Sequence, residues 1–164
     1  MISKANEKIP TPTVEKITQI THTDPNYSIS YPENYEFYKN KIVSTNGFTE
    51  SQENTIHLIS PPLTDSMGNL SIILTYQPFT IFEEEAKKSS TCPELDWLEL
   101  EPITLGNNKF THSGLINCGP NEVAFFYILN NENIYEAKVE TTANYETKAL
   151  PEVLKILETI KFTE

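Results

Sequence analysis

The sequence contains no arginine, and all 12 of its basic residues are lysines. They stand against 23 Asp and Glu residues, which gives a formal net charge of -11. Arginine is the usual bidentate reader of phosphate and guanine, and nucleic-acid binding needs a basic surface. Because both are missing, we expect no nucleic-acid partner. Acidity of this kind indicates either a well-solvated surface or the steering of a basic partner.

Long apolar runs are also missing. The longest, such as residues 123–129, fall far short of the roughly 20 residues that span a bilayer, so we expect no membrane-spanning segment. Residues 1–20 are polar, include Pro10 and Pro12, and lack the apolar stretch of a signal peptide. We therefore predict a flexible tail or linker over 1–20 and a single domain over 21–164. We expect the protein to lie in the cytoplasm, or in the periplasm or cell envelope if an export signal was removed.

Catalytic motifs are absent as well. The sequence has no G-x-S-x-G, P-loop, H-E-x-x-H or C-x-x-C pattern. His22, His57 and His112 lie on separate predicted elements, and no pair has the spacing of metal ligands. We expect no cofactor, no metal site and no catalytic residues. An enzyme whose site is assembled from distant residues remains the alternative.

Only two cysteines occur, Cys92 before Pro93 and Cys118 before Gly119. Both lie at ends of predicted elements, where a bridge can be accommodated. A disulfide between them would contribute about 3 to 4 kcal/mol in the chain-entropy model and would imply an oxidising compartment. Two unlinked thiols are the alternative.

Alternation of polar and apolar residues predicts an early group of strands, the first of which ends at Pro32 because proline cannot donate to a ladder. Thr80, followed by Glu83, has the spacing of a capping box and predicts a helix. Later segments are separated by turns too short for a crossover, so they are predicted to be antiparallel neighbours. The predicted strands are 28–31, 41–45, 55–60, 69–76, 97–105, 109–117, 122–129 and 133–141.

The C-terminal segment predicts an amphipathic helix that packs on the sheet. Its apolar stripe consists of Leu150, Val153, Leu154, Leu157 and Ile160, with Pro151 in the first turn.

An acidic segment, PELDWLELEP, is a candidate partner-binding site. Its carboxylates suit calcium in type but lack the Asp/Asn/Gly loop pattern of a calcium site. Trp97 among them suits a contact anchor, and a core position is the alternative. The candidate residues are Glu94, Asp96, Trp97, Glu99 and Glu101.

Several stretches resemble the PsbP-like superfamily, which includes the photosystem protein PsbP, a Ran-GTPase release factor and bacterial DcrB-like lipoproteins. They are YSISYPENY, NLSIILTYQP, ITLGNNKFTHSG, NENIYEAKVET and LKILETIKF, and the resemblance covers most of 27–162. It implies an α+β fold, an α/β/α sandwich with a central, mostly antiparallel sheet of about six to seven strands.

The resemblance also interprets the aromatic cluster that begins at Tyr27. In such folds the Tyr-Pro step ends the first strand at a sheet margin, so Tyr31, Tyr35 and Phe37 are expected to close over the core. Tyr27 and Tyr38 are expected to face a partner.

These observations lead to three functional hypotheses. The first is a non-enzymatic protein-binding accessory domain, such as an envelope protein of the DcrB-like kind, that uses an acidic surface. The second is an immunity or effector-chaperone protein that neutralises or carries a basic secreted toxin, since complementary charge accelerates encounter. The third is the enzyme with a dispersed site. The expected partner is another protein, of basic charge, and a homodimer is the other form left open.

Overall fold

The computed structural model describes residues 18–44, 47–63, 68–80, 101–118 and 121–163. Of Glu101, Asn117, Cys118 and Asn121, only the backbone is described. Within these ranges the chain is mostly β. A π-helical turn (Tyr145–Ala149) continues into helix α1 (Leu150–Leu157). The strands are β1 (Gln19–Thr23), β2 (Tyr27–Pro32), β3 (Glu36–Val43), β4 (Thr49–Ile59), β5 (Leu70–Pro78), β6 (Glu101–Leu105), β7 (Asn108–Cys118), β8 (Asn121–Asn130), β9 (Asn133–Thr141) and β10 (Lys161–Phe162).

Two sheets share these strands. The large sheet has seven strands in the order β3-β4-β5-β9-β8-β7-β6, all antiparallel, and the small sheet has the order β1-β2-β10. The predicted antiparallel succession from β6 to β9 and a central sheet of seven strands are thus confirmed. The pairing of β5 with β9 joins the two halves of the large sheet, with Leu70 opposite Thr141 and Pro78 opposite Asn133. Phe79 and Thr80 are helical, and the rest of the helix predicted from Thr80 onwards falls on residues outside the described ranges.

The core lies between the inner face of the large sheet and a layer made of the small sheet and α1. Side chains of β2, β4, β5, β8, β9 and α1 meet there, and Phe126, Ile29 and Leu58 are fully buried. A second, smaller cluster lies on the outer face of the large sheet, around Val123 and Phe125. Alternate residues of β8 therefore point to two buried faces, as the uninterrupted apolar run of this strand requires.

The predicted lids over the core are confirmed. Tyr31 and Tyr35 are buried, and Phe37 packs against the core with its ring stacked on that of Tyr31 at a centroid distance of 5.4 Å. Pro32 is the last residue of β2, where its missing N–H interrupts the ladder.

Element boundaries differ from the prediction at both ends of the domain. Strand β1 begins at Gln19, so the last residues of the predicted tail belong to the small sheet. Helix α1 ends at Leu157, although the apolar stripe continues to Ile160. The reason is Thr159, whose hydroxyl donates to the Ile156 carbonyl at 2.7 Å and accepts from the Ser30 amide at 2.8 Å. This contact ties the chain to β2, and Lys161–Phe162 continues as strand β10.

Candidate functional site

The hairpin of β3 and β4 carries an extension that we call the arm, residues 40–44 and 47–54. Residues 55–58 of β4 are buried in the large sheet, whereas all six side chains from 49 to 54 are exposed. A strand that packs on a core normally buries every second residue. This part of β4 therefore extends beyond the core.

The arm begins at a sharp bend. Asn40 and Asn54 both have left-handed backbone angles, with φ of 54° and 55°. Lys39 is opposite Ile56 but Lys41 is opposite Ser51, so Asn40 alone faces residues 52–55 across the hairpin. A bulge of this kind turns a strand, and asparagine is one of the few residues that adopt the left-handed region readily.

His57 holds the arm in its bent position. Its Nδ1 accepts a hydrogen bond from the Val43 amide at 3.0 Å, and its Nε2 lies 2.8 Å from the Ser71 hydroxyl. The partner of His57 in the ladder is Tyr38. A straight strand would place Val43 about 17 Å further along, since each residue advances about 3.4 Å. The arm therefore folds back over the outer face of the sheet, where the His57 ring fastens it.

The protonation state of His57 follows from these contacts. An Nδ1 that accepts from an amide carries no proton, so the neutral ring bears its proton on Nε2 and donates it to Ser71. Only 1% of His57 is exposed, and this burial lowers its pKa, against the opposing effect of the Glu140 and Glu36 carboxylates. The ring is a neutral connector between the arm and β5.

A polar cleft of about 310 Å³ lies at the bend of the arm. An ion pair between Asp24 and Lys39, at 3.2 Å, crosses its rim. The lining side chains offer amide, hydroxyl and aromatic groups, which suit hydrogen bonding and stacking with a partner. The cleft is lined by Asp24, Pro25, Asn26, Tyr27, Lys39, Asn40, Asn54, Thr55, Ile56 and Tyr76.

The other two histidines, His22 and His112, lie apart from His57. His112 stacks on Phe126 at 4.2 Å and its Nε2 lies 2.8 Å from the Tyr145 hydroxyl. His22 packs against Phe37, and burial followed by the charge of Lys39 lowers its pKa. Across the residues that the structure describes, no three side chains of the metal-binding types come together.

The structure corrects the prediction for Tyr27. This residue is 5% exposed and its ring packs edge-on against Tyr135 at 5.4 Å, so it belongs to the core, although it is also one of the residues that line the cleft. Its position follows from β2, whose residues at 27, 29 and 31 all point inwards. Tyr38 lies at the base of the arm, half-buried, where its hydroxyl donates to Glu36 at 2.6 Å and its ring lies beneath Lys41.

The remaining predicted site residues are not tested by the structure. Glu94, Asp96, Trp97 and Glu99 lie outside the described residues, and Glu101 begins β6 with its side chain undescribed. Cys92 is outside as well, and only the backbone of Cys118, at the end of β7, is described. The acidic candidate surface and the disulfide stay predictions.

The arm is the candidate functional feature that sequence reasoning missed. Its signal is the run TESQEN at 49–54, six polar residues without alternation inside a strand. Read alone, such a run resembles a loop.

Within the described ranges, no helix combines the length and the apolar character needed to cross a membrane.

Comparison with known proteins gives likeness in fold. No protein-family model and no curated protein matches the chain. Among solved structures, cyanobacterial PsbP (CyanoP) from Synechocystis sp. PCC 6803 is similar at 10% identity and a TM-score of 0.47, with 96% of this chain and 99% of that one covered. A protein from Bacteroides thetaiotaomicron VPI-5482 is similar at 12% identity and a TM-score of 0.47 over 84% of this chain, which spans 45% of that protein. These similarities carry neither a partner nor an activity to this chain.

Proposed function

We propose that the protein is a non-catalytic binding domain that captures an extended, basic segment of another protein along the arm. The observation that carries the proposal is the exposure of all six side chains at 49–54 in a strand that is nonetheless held in place. Because these residues bury no side chain, packing on the core does not explain why they form a strand. A binding role is the better explanation.

The backbone of the arm offers a means of recognition. Residues 49–51 pair with β3, and β5 pairs with β4 only from Thr55 onwards. Among the described strands, none pairs with the outer edge of residues 49–54. An extended segment can add to such an edge, where main-chain hydrogen bonds give affinity and side chains give selectivity.

Charge selects the partner. The arm carries Glu50 and Glu53 against Lys41, on a chain whose formal net charge is -11. A basic segment is therefore attracted to this edge and encounters it faster at low salt. Phe48, which is 71% exposed at the tip of the arm, just before β4 begins, supplies an aromatic contact of the type that anchors interfaces.

The arm is already held in its bound position, which favours binding. The bonds from His57 to Val43 and Ser71 fix the arm before a partner arrives, which reduces the ordering cost of binding. The use of His57 and His112 in hydrogen bonds that hold the fold supports a non-catalytic role. A binding edge of this kind would serve an envelope accessory protein of the DcrB-like kind, and equally an immunity or effector-chaperone protein for a basic toxin.

The test is a titration with an extended peptide of alternating lysine and threonine, about eight residues long, within the normal length of a strand. Amide chemical shifts of the arm report binding. Reversing the arm charges with Glu50→Lys and Glu53→Lys is expected to weaken binding by about tenfold or more, because complementary pairs become repulsive.

The matched control reverses two charges elsewhere, with Glu132→Lys and Glu158→Lys on exposed positions. It changes the net charge by the same amount and is expected to alter affinity by less than about threefold at physiological salt, where distant charges are screened. Equal weakening in both variants would reduce the effect to overall charge and contradict a site on the arm.

We also infer that the helix predicted from Thr80 packs on the outer face of the large sheet and completes an α/β/α sandwich. Burial of Val123 and Phe125 on that face supports this arrangement. Amide exchange over 81–89 tests it, since a packed helix protects these amides and an exposed one does not.

A further inference from the structure

A second cleft, of about 350 Å³, lies at the start of α1, away from the arm. Three separate parts of the chain form it: the turn after β2, the segment after β4 and the first turn of the helix. Its apolar walls are unusually rich in proline, and we call it the Tyr35 cleft. These walls are Pro32, Pro61, Pro62, Leu63 and Pro151, with Tyr35 between them.

The hydroxyl of Tyr35 is the anomaly of this cleft. Tyr35 is 9% exposed, and its hydroxyl is buried without a hydrogen-bond partner. Buried polar groups are nearly always paired, because an unpaired one costs free energy. By contrast, the hydroxyl of Tyr145 pairs with His112 at 2.8 Å. Tyr35 lines the cleft, so a bound molecule can satisfy its unpaired hydroxyl once a small shift of the side chain opens that atom, which is closed to solvent in this structure.

The phenol acts as a donor. Burial, reinforced by the nearby Glu152 carboxylate, raises the pKa of Tyr35, so the hydroxyl keeps its proton at physiological pH. The proline walls have no N–H groups. Two of their carbonyls are already engaged, Pro32 by the Tyr35 amide at 3.0 Å and Pro61 by the Ser60 hydroxyl at 2.7 Å. A ligand suited to this surface presents a carbonyl oxygen beside an apolar group.

The volume of the cleft and the charges on its rim further restrict the class of ligand. A volume of about 350 Å³ is at the low end for ligand pockets, enough for one or two residues of a peptide. Lys148 and Glu152 lie on the rim with opposite charges, which suits a neutral main chain. Proline walls are rigid, so little conformational entropy is lost on binding.

We propose that the Tyr35 cleft binds an extended peptide through a proline or branched aliphatic residue, whose backbone carbonyl accepts the hydrogen bond of the Tyr35 hydroxyl. This site is independent of the arm. Recognition of extended proline-bearing segments by surfaces with aromatic groups is a recurrent mode, since such segments are ordered before they bind.

The test uses acetylated, amidated penta-proline as the probe, titrated into the full chain and followed by amide chemical shifts. Saturable shifts at Leu63 and Thr147, on two sides of the cleft, are expected. Penta-glycine of the same length is the probe control, because it has carbonyls without the apolar groups. Shifts that never saturate, or that penta-glycine reproduces, would overturn the proposal.

Tyr35→Phe is the decisive variant. It keeps the ring and removes only the hydroxyl, so affinity for penta-proline is expected to fall by about fivefold to tenfold. The same change removes an unpaired buried group, so the melting temperature is expected to stay equal or rise. Tyr145→Phe, which breaks the bond to His112, is expected to lower the melting temperature and leave binding unchanged.

A site that loses affinity while the protein gains stability is the signature of a group kept for binding. Unchanged affinity in Tyr35→Phe would refute the role of the hydroxyl. N,N-Dimethylacetamide serves as a final probe. If this small amide saturates the cleft equally well, the cleft is a site for small molecules and the proposal of a peptide ligand is overturned.

Discussion

The connection between His57 and the arm makes a sharp prediction for His57→Leu. Leucine is close to histidine in bulk and fills much of the space of the ring, but it offers no nitrogen to Val43 or to Ser71. The substitution therefore removes the fastening of the arm and leaves most of the packing of β4 in place.

The magnitude follows from the groups left behind. The Val43 amide and the Ser71 hydroxyl each lose a partner, and a buried group left unpaired costs about 1 to 3 kcal/mol. Both are partly buried, and Ser71 can turn towards water, so the total is expected to be about 2 to 4 kcal/mol. For a chain of this size each kcal/mol lowers the melting temperature by about 2 to 4 °C.

Two measurements check this expectation. Urea unfolding followed by circular dichroism gives the change in free energy of unfolding. Amide exchange separates the arm from the core: protection of Val43 is expected to fall by more than the global change, whereas Ile72, in β5, follows global stability alone. Ser71→Ala is the matched control, because it removes one bond and keeps the one to Val43.

Two results would refute the reasoning. The first is a His57→Leu variant with the urea midpoint of the parent and unchanged exchange at Val43. The second is loss of Val43 protection in Ser71→Ala equal to that in His57→Leu, because the amide contact is predicted to survive when Ser71 is shortened.

Further expectations concern pH and backbone geometry. Burial lowers the pKa of His57 and His112 in the folded protein, so the unfolded chain binds more protons in acid. The free energy of unfolding is therefore expected to fall as the pH drops below about 6.5, where an unfolded histidine titrates, and His57→Leu is expected to reduce this slope in urea titrations at several pH values. A Cβ at Gly68 would overlap the backbone nitrogen of Ala143, so Gly68→Ala is expected to lower the melting temperature through a loss of about 3 kcal/mol; an unchanged melting temperature would contradict the contact. Asn54→Val, at a φ of 55°, is expected to cost about 1 to 2 kcal/mol in urea unfolding, whereas Asn54→Gly is expected to cost less; equal losses would disprove backbone strain.

Local signals explain why the succession from β6 to β9 could be predicted. Gly106 and Asn131 adopt left-handed angles of 58° and 55° in the turns that the sequence marks. Strands separated by such short turns can only pair with their neighbours. The pairing of β5 with β9 has no such signal, because it depends on residues that are far apart in the chain.

Strand β3 and the end of α1 show where local pattern fails. In β3, the sequence EFYKNKIV crosses the bend at Asn40, so its polar and apolar residues never alternate on one straight strand. The apolar stripe of α1 continues past its end because Ile160 is buried, yet the chain there is held by the hydrogen bond between the Thr159 hydroxyl and the amide of Ser30, 129 residues away. Tertiary contact overrides helical periodicity at this point.

The candidate sites were the least predictable part. The arm depends on one histidine that reaches a neighbouring segment, and the Tyr35 cleft depends on prolines from three parts of the chain. In neither site do the residues follow a fixed spacing along the sequence that a motif search could recognise. For Tyr27, residue type alone predicts a partner surface, whereas its place in the alternation of β2 puts it in the core.

The two-residue strand β10 has a consequence for how the molecule is made. It completes the small sheet by pairing with β2, and the Thr163 amide, just beyond it, donates to the Asn26 carbonyl at 3.1 Å. Contacts between residues far apart in the sequence form slowly, because the entropy of closing the loop is lost before the contacts contribute any stabilisation. During synthesis, one edge of β2 stays unpaired until residues 161–162 have left the ribosome. The native domain therefore closes only after translation has passed Phe162, and until then nascent chains present an open strand to chaperones.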